Sequence, residues 1–300
     1  MNIGVIGCGA MGKGIVKNLI KQGLTVKVYD ASPDYVSFCD EMGAIPVSSA
    51  RETAADADAL FLSLPSPEVV KNVLLSDEGV LSILQAGAYI LDLSTIDPMT
   101  SIHLSKAANH QGAYFFDCPV SGGPAGADQG NLTIMVGGPE EQFSSVLPLL
   151  QVIGKEIIYL GKSGAGQTAK LCHNMLVASI TASLGEVLTV GAKAGISPES
   201  LANIIEKGSA NNRVLSIFGL NMIEGTYDNV NFFLSHMHKD VNLYTKLAAS
   251  QSVPSFIGSL VLQLYESAKA NGMGKLDSSA VCLTIQEQSN FSFGTTAHQS

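Results

Sequence analysis

The sequence predicts an α/β chain in two parts: a doubly wound sheet at the N-terminus, then a long helix and an all-α C-terminal part. Three observations carry this. Short β-type runs alternate with helical stretches as far as about Leu160. A long, nearly proline-free run rich in Ala, Leu and Val follows, from Gly166 to Ala194. Every periodic segment beyond it has the helical spacing. A chain of 300 residues also exceeds what one compact core usually holds. The expected division is 1–162 for the sheet domain, 163–194 for the interdomain helix and 195–300 for the all-α domain, with the boundary in the Gly161–Gly164 turn.

Taken in order, strands are expected at Asn2–Ile6, Thr25–Tyr29, Ala59–Ser63, Tyr89–Asp92, Tyr114–Asp117, Leu132–Val136 and Glu156–Tyr159, with a short one at Ala44–Val47. They are expected to run parallel, because helical stretches at Met11–Gln22, Pro33–Met42, Pro67–Leu74, Thr100–His110 and Glu140–Leu150 separate them. In the C-terminal part, helices are expected at Pro198–Lys207, Arg213–Asn221, Ser235–Ser250, Phe256–Asn271 and Ser278–Gln288. Ser197-Pro198 supplies an N-cap and a first-turn proline. The tail after Phe293 is small and polar and is expected to fray.

The first βα junction is the most informative. Gly7-Cys8-Gly9-Ala10-Met11-Gly12 has the G-x-G-x-x-G spacing between a strand and a helix. Gly7 suits the tight turn, Gly9 lets backbone approach a pyrophosphate, and Gly12 lets helix and strand pack closely. The helix N-terminus offers unpaired N–H groups to phosphates. Asp30 closes the second strand, where a carboxylate accepts ribose hydroxyls and repels a 2′-phosphate. The pattern is that of a Rossmann-type domain binding NAD. NADP is disfavoured unless Lys27 or Arg51 approaches this point.

Composition narrows the rest. A net charge of −9 argues against non-specific nucleic-acid binding and against an anionic membrane surface. The five cysteines are scattered, without C-x-x-C spacing, and the histidines have no metal-ligand spacing. No metal is expected. His236 and His238, two apart on one helix, should face different sides. The N-terminus enters a strand directly and no apolar run is judged long enough to cross a bilayer, so a soluble cytoplasmic protein is expected.

Ligands of such sheets sit beyond the carboxyl ends of the strands. Leu64-Pro65, Ser94-Thr95 and Ser121-Gly122-Gly123 lie there. The last resembles a turn whose consecutive N–H groups form a nest for a carboxylate. Lys170 falls one turn inside the long helix, with Asn174 at i+4 on the same face. A partly buried lysine there is either a proton acceptor for an alcohol or a plain solvated helix residue.

Together these segments resemble the β-hydroxyacid dehydrogenases, which include 3-hydroxyisobutyrate dehydrogenase, tartronate semialdehyde reductase and the glyoxylate/succinic semialdehyde reductases. The match spans Gly7-x-Gly9-x-Met11-Gly12 with Asn18-Leu19 and Gly23, Asp117-x-Pro119-Val120-Ser121-Gly122-Gly123, and Leu132-Thr133-x-Met135-Val136-Gly137-Gly138. Gly164-x-Gly166-x-x-x-Lys170 with Asn174, and Lys239-Asp240, complete it.

The resemblance implies an NAD-dependent oxidoreductase acting on a small β-hydroxy acid or its semialdehyde. Lys170 is then the general acid/base. Ser121, Gly122, Gly123, Thr95, Asn174, Phe232 and Asp240 bind substrate. Gly7, Gly9, Ala10, Met11, Gly12, Asp30, Leu64, Pro65, Thr95 and Lys239 bind cofactor. It also implies a homodimer or homotetramer built through the helical domain. The substrate's side chain is left open, whether methyl, hydroxyl, sulfonate or carboxylate-bearing. Cys8, Cys118, Ile15-Val16 and His173 depart from the usual pattern, and His173 is read as a packing residue. Arg213 is either a contact for a second acidic group or surface. The competing readings are an imine reductase, against which Lys170 counts, and a non-catalytic NAD-binding module, which has no need of a lysine and a carboxylate nest.

Overall fold

The computed structural model describes residues 1–293; the polar tail beyond Phe293 and His298 lie outside the described residues. The chain runs β1 (Asn2–Ile6), α1 (Gly12–Lys21), β2 (Thr25–Tyr29), α2 (Pro33–Glu41), β3 (Ile45–Pro46), α3 (Ala50–Ala54) and β4 (Ala59–Leu62). It continues through α4 (Pro67–Leu75), β5 (Tyr89–Asp92), α5 (Pro98–His110), β6 (Tyr114–Asp117), β7 (Val120–Ser121) and α6 (Gly123–Asp128). Then come β8 (Leu132–Gly137), α7 (Glu140–Ile153), β9 (Gly154–Gly161) and α8 (Ala165–Lys193). The rest is helical: α9 (Pro198–Lys207), α10 (Arg213–Glu224), α11 (Leu234–Ser250), α12 (Phe256–Ala270) and α13 (Val281–Gln288).

The strands form where apolar side chains occupy both faces of the chain. Ala59-Leu60-Phe61-Leu62 is buried at every position, as a central parallel strand must be. Alternate residues serve opposite layers. Phe61, Leu91 and Phe116 share one register row and join one core cluster, while Leu60, Ile90 and Phe115 share the next row and join the other. Helix starts follow local capping. Asp97 accepts the Thr100 N–H ahead of Pro98, which starts α5 earlier than the expected Thr100.

Among the described residues the strand order is β3-β2-β1-β4-β5-β6-β8-β7, with β9 pairing β8. The expectation of an all-parallel sheet is corrected at its end, where β8 runs antiparallel to β6 and β7. Besides the two-residue strand β7, the connection from β6 to β8 holds one helix, the six-residue α6. At 1.5 Å per residue that helix is about 9 Å long, too short to carry the chain back for a parallel crossover. Neither α6, α3 nor β7 was anticipated, each being too short to show a period.

Two compact units divide the chain, Met1–Lys170 and Leu171–Ser300. The division falls inside α8 rather than in the glycine turn before it, because the first turn of α8 is tied to the sheet. Asp117, at the end of β6 and fully buried, accepts the Gly164 N–H at 2.7 Å and the Gln167 N–H at 3.0 Å.

The composition of α8 also corrects a second expectation. Over 29 residues with a most apolar window of mean hydropathy 1.6, it is long and apolar enough to cross a membrane. Half of that window is buried within the protein, and Gln167, Lys170 and Asn174 are buried polar residues on the same helix. Those features are those of a core helix.

Asp117→Asn is isosteric but presents an N–H where one of the two helix donors needs an acceptor. The loss is expected to be about 2–4 kcal/mol of unfolding free energy, read as a lower urea midpoint at unchanged m-value. A midpoint equal to wild type would show that Asp117 does not hold α8.

Candidate active site

The five strands β2, β1, β4, β5 and β6 end in one register row: Tyr29, Ile6, Leu62, Asp92 and Asp117. Residues following that row therefore emerge along one edge. They include Gly7, Asp30, Leu64-Pro65 and Thr95, all expected at the site. At the β1/β4 neighbour pair the strand order reverses, which opens a crevice at the carboxyl end.

The glycine turn fits a dinucleotide. A Cβ on Gly12 would stand 1.9 Å from the Gly7 carbonyl oxygen, so only glycine permits this packing. A Cβ on Gly9 would meet nothing of the protein nearer than Tyr35 at 3.8 Å. Protein packing thus demands Gly12 but leaves space over Gly9, as a pyrophosphate cradle requires. Asp30 is anchored at the lip of the turn. One carboxylate oxygen accepts the Cys8 N–H at 2.7 Å and the other accepts the Ser32 N–H at 2.8 Å.

The cations left open for a 2′-phosphate are engaged elsewhere. Lys27 pairs with Asp56 at 3.4 Å, and Arg51 donates to the Gly79 carbonyl and the Ser82 hydroxyl. These residues suit NAD, whose nicotinamide supplies hydride transfer when bound.

A second set of bonds ties the strand ends together. The Leu64 N–H donates to Ser94 Oγ at 2.9 Å. Gln167 on α8 reaches back with both ends of its amide, accepting the Ile96 N–H at 3.1 Å and donating to the Ser94 carbonyl at 2.8 Å. Thr95 sits between those two clamped positions. Gln167 and Ser94 stand inside segments flagged from the sequence, but the clamp spans more than seventy residues of chain and no local signal announces it. Lys170 lies one turn beyond Gln167 and is only 6% exposed.

The Ser121-Gly122-Gly123 turn stands where β7 gives way to α6. Gly122 and Gly123 both take positive φ, 133° and 63°, conformations that L side chains rarely adopt. Burial at Asp117 pushes its carboxyl up despite the hydrogen bonds from Gly164 and Gln167 that pull it down. Burial, with the charges of Asp117 and Asp92, holds the Cys118 thiol far above its ordinary value. Cys118 is thus an apolar filler rather than a nucleophile.

The second unit holds its own cluster. Asn174 Nδ2 donates to Asp240 Oδ2 at 2.6 Å, and Lys239 Nζ lies 3.2 Å from Asp240 Oδ1. Asp240 is 1% exposed and Asn174 4%. His236, one turn before Asp240, is exposed and lies edge-on to the rings of Phe232 and Phe233. Desolvation there, and the Lys239 ammonium, lower its proton affinity. His238 faces the other way, buried and paired with Glu266. The expectation that His173 packs is not met, since it is exposed; Arg213, the first residue of α10, is exposed too. Among the described residues no group of His, Cys, Asp or Glu is arranged to hold a metal ion.

Comparison with known proteins bears directly on this arrangement. Residues 2–161 match the model of the NAD binding domain of 6-phosphogluconate dehydrogenase. Residues 164–285 match that of the NAD-binding region of NADP-dependent 3-hydroxyisobutyrate dehydrogenase. The chain is 36% identical over 288 residues to 2-(hydroxymethyl)glutarate dehydrogenase of Eubacterium barkeri, covering 96% of this chain and 95% of the relative. It is 36% identical over 297 residues to the mitochondrial 3-hydroxyisobutyrate dehydrogenase of Mus musculus, covering 96% and 88%. The chain belongs to the β-hydroxyacid dehydrogenase family. The solved 3-hydroxyisobutyrate dehydrogenase of Salmonella typhimurium superposes with a TM-score of 0.87 at 27% identity, over 94% of this chain and 99% of that one.

As a member of this family the chain is an NAD-dependent oxidoreductase of hydroxy acids. The asymmetry between Gly9 and Gly12 gives a test of the cofactor cradle. Gly9→Ala is expected to leave stability within about 1 kcal/mol of wild type while weakening NAD binding about tenfold or more. Gly12→Ala is expected to destabilise by about 3 kcal/mol through overpacking. Calorimetric NAD titration beside urea denaturation separates the two; equal NAD affinity in wild type and Gly9→Ala would place the pyrophosphate elsewhere.

Proposed function

We propose that this β-hydroxyacid dehydrogenase oxidises a small 3-hydroxyisobutyrate-like acid to its semialdehyde, or reduces the semialdehyde, with Lys170 exchanging the proton. The observation that carries the reading is Lys170 itself, a lysine buried on a helix whose first turn is bonded to the strand ends that carry the cofactor residues. A lysine there is positioned rather than solvated. Bound NAD would supply the hydride acceptor, and Lys170 accepts the hydroxyl proton as the carbinol becomes a carbonyl. In the reverse direction it returns that proton to the oxygen.

Ser121, Gly122 and Gly123 bind the substrate carboxylate through their N–H groups and the Ser121 hydroxyl, with Thr95 beside the reacting end. Asn174 orients the substrate. Its amide is fixed by Asp240, which takes one N–H and leaves the carbonyl oxygen and second N–H for other partners. Phe232 and Asp240 belong to the substrate set, and Lys239 to the cofactor set. Gly7, Gly9, Ala10, Met11, Gly12, Asp30, Leu64 and Pro65 hold NAD.

The helical unit exposes Leu176, Val187, Val190 and Ile204, a set of apolar side chains that supports assembly into a homodimer or homotetramer. A cytoplasmic location completes the proposal.

Absorbance at the reduced-nicotinamide band tests it, with NAD and NADP offered separately against a panel of hydroxy acids and semialdehydes. Turnover is expected with NAD, and Lys170→Ala should lower kcat by about 10²–10⁴-fold while NAD affinity stays unchanged. Turnover surviving in Lys170→Ala would remove the lysine from the proton path.

A further inference from the structure

Asp277 lies outside every motif considered so far, yet it is fully buried and makes four hydrogen bonds through its carboxylate. Its two oxygens serve different segments. Oδ2 accepts the N–H groups of Asn231 at 2.7 Å and Phe232 at 3.1 Å. Oδ1 accepts the N–H of Ser279 at 3.1 Å and its hydroxyl.

Backbone bonds reinforce the first attachment. The Ser278 N–H donates to the Phe232 carbonyl at 2.7 Å, and the Leu234 N–H donates to the Leu276 carbonyl at 2.9 Å. Phe232 is therefore held at both its N–H and its carbonyl just before α11 begins at Leu234. The first two turns of α11 then present His236, against the Phe232 ring, and the Lys239–Asp240 pair bonded to Asn174.

A buried carboxylate with no part in the chemistry is costly to desolvate, and it is retained here by charge-assisted bonds to backbone. The segment it fixes is short, irregular and bears a proposed substrate contact. We infer that Asp277 is a positioning residue: it anchors the Asn231–Phe232 backbone and so sets where Phe232, Lys239 and Asp240 are presented. The inference rests on the roles proposed above for those three residues. Only a carboxylate serves both segments, because an amide turns a donor towards one set of N–H groups.

The two-sided attachment supplies its own control. Ser279→Ala removes a bond to Oδ1 and leaves the Oδ2 side in place; Asp277→Ala removes the acceptors on both sides. In the full-length protein Asp277→Ala is expected to lower kcat/KM for the hydroxy acid about tenfold or more, chiefly through KM, with NAD binding weakened as well through Lys239. Adding Phe232→Ala to it should cost less than the two single losses combined, since both act on the same contact. Hydrogen exchange of the 229–236 segment should quicken in Asp277→Ala and stay near wild type in Ser279→Ala.

Ser279→Ala should retain kcat/KM within about twofold even where its melting temperature falls. The inference is overturned if Asp277→Ala keeps wild-type KM, or if both variants lose activity in step with stability. A wild-type chain inert towards the whole panel would sink the proposed reaction instead. The exchange comparison would then decide alone whether Asp277 anchors the segment, with equal exchange in the two variants counting against it.

Discussion

The attachment of α8 to Asp117 is the constraint on which the rest of the site depends. A helix begins with N–H groups that have no partner within it. Here two of the donors at that end meet one carboxylate at the end of β6. The negative charge also suits the positive end of the helix dipole. Because Asp117 shares a register row with Asp92, Leu62, Ile6 and Tyr29, fixing the helix to it fixes the helix to the edge from which Gly7, Asp30, Leu64-Pro65 and Thr95 emerge. Gln167 adds a second point of attachment by bridging Ser94 and Ile96. A helix held at two points can neither slide nor rotate freely. Lys170, one turn on, inherits that rigidity, which the proton-transfer role proposed for it requires.

The helical unit repeats the device with different parts. Asp277 holds the entry to α11 as Asp117 holds the entry to α8, in each case through a buried carboxylate and backbone N–H groups. Asp240 does the same for a side chain, fixing which way the Asn174 amide points. Buried acids thus serve as joints in both units. Each carries a desolvation cost that is offset only when every donor is in place, which explains why such residues tolerate isosteric change poorly.

Much of this architecture was legible in the sequence. The glycine fingerprint stood between a strand and a helix, Asp30 closed the next strand, and the buried strands announced themselves as short apolar runs. The reversal of β8 was not legible, because it follows from a six-residue helix too short to register as a period. The membrane-length apolarity of α8 was underestimated because its polar residues are spread along one long run.

The anchors were invisible for a different reason. Asp117 meets Gly164 across 47 positions, Gln167 meets Ser94 across 73, and Asn174 meets Asp240 across 66. Residue type and spacing could place Lys170 on a helix face. They could not show that the helix is bolted down, since that depends on which distant donor and acceptor the fold brings together. Asp277 has no local signal for the same reason, since its partners Asn231 and Phe232 lie 46 and 45 positions away.

The role proposed for Lys170 requires this rigid framework to bring its Nζ to the reacting hydroxyl. A crystal structure with NADH and a turned-over hydroxy acid tests it most directly, since reduced cofactor and alcohol cannot react with each other. Lys170 Nζ is expected about 2.6–3.2 Å from the substrate hydroxyl, with the carboxylate on the N–H groups of Ser121, Gly122 and Gly123. A hydroxyl bound to another side chain, with Lys170 facing away from it, would rule that role out.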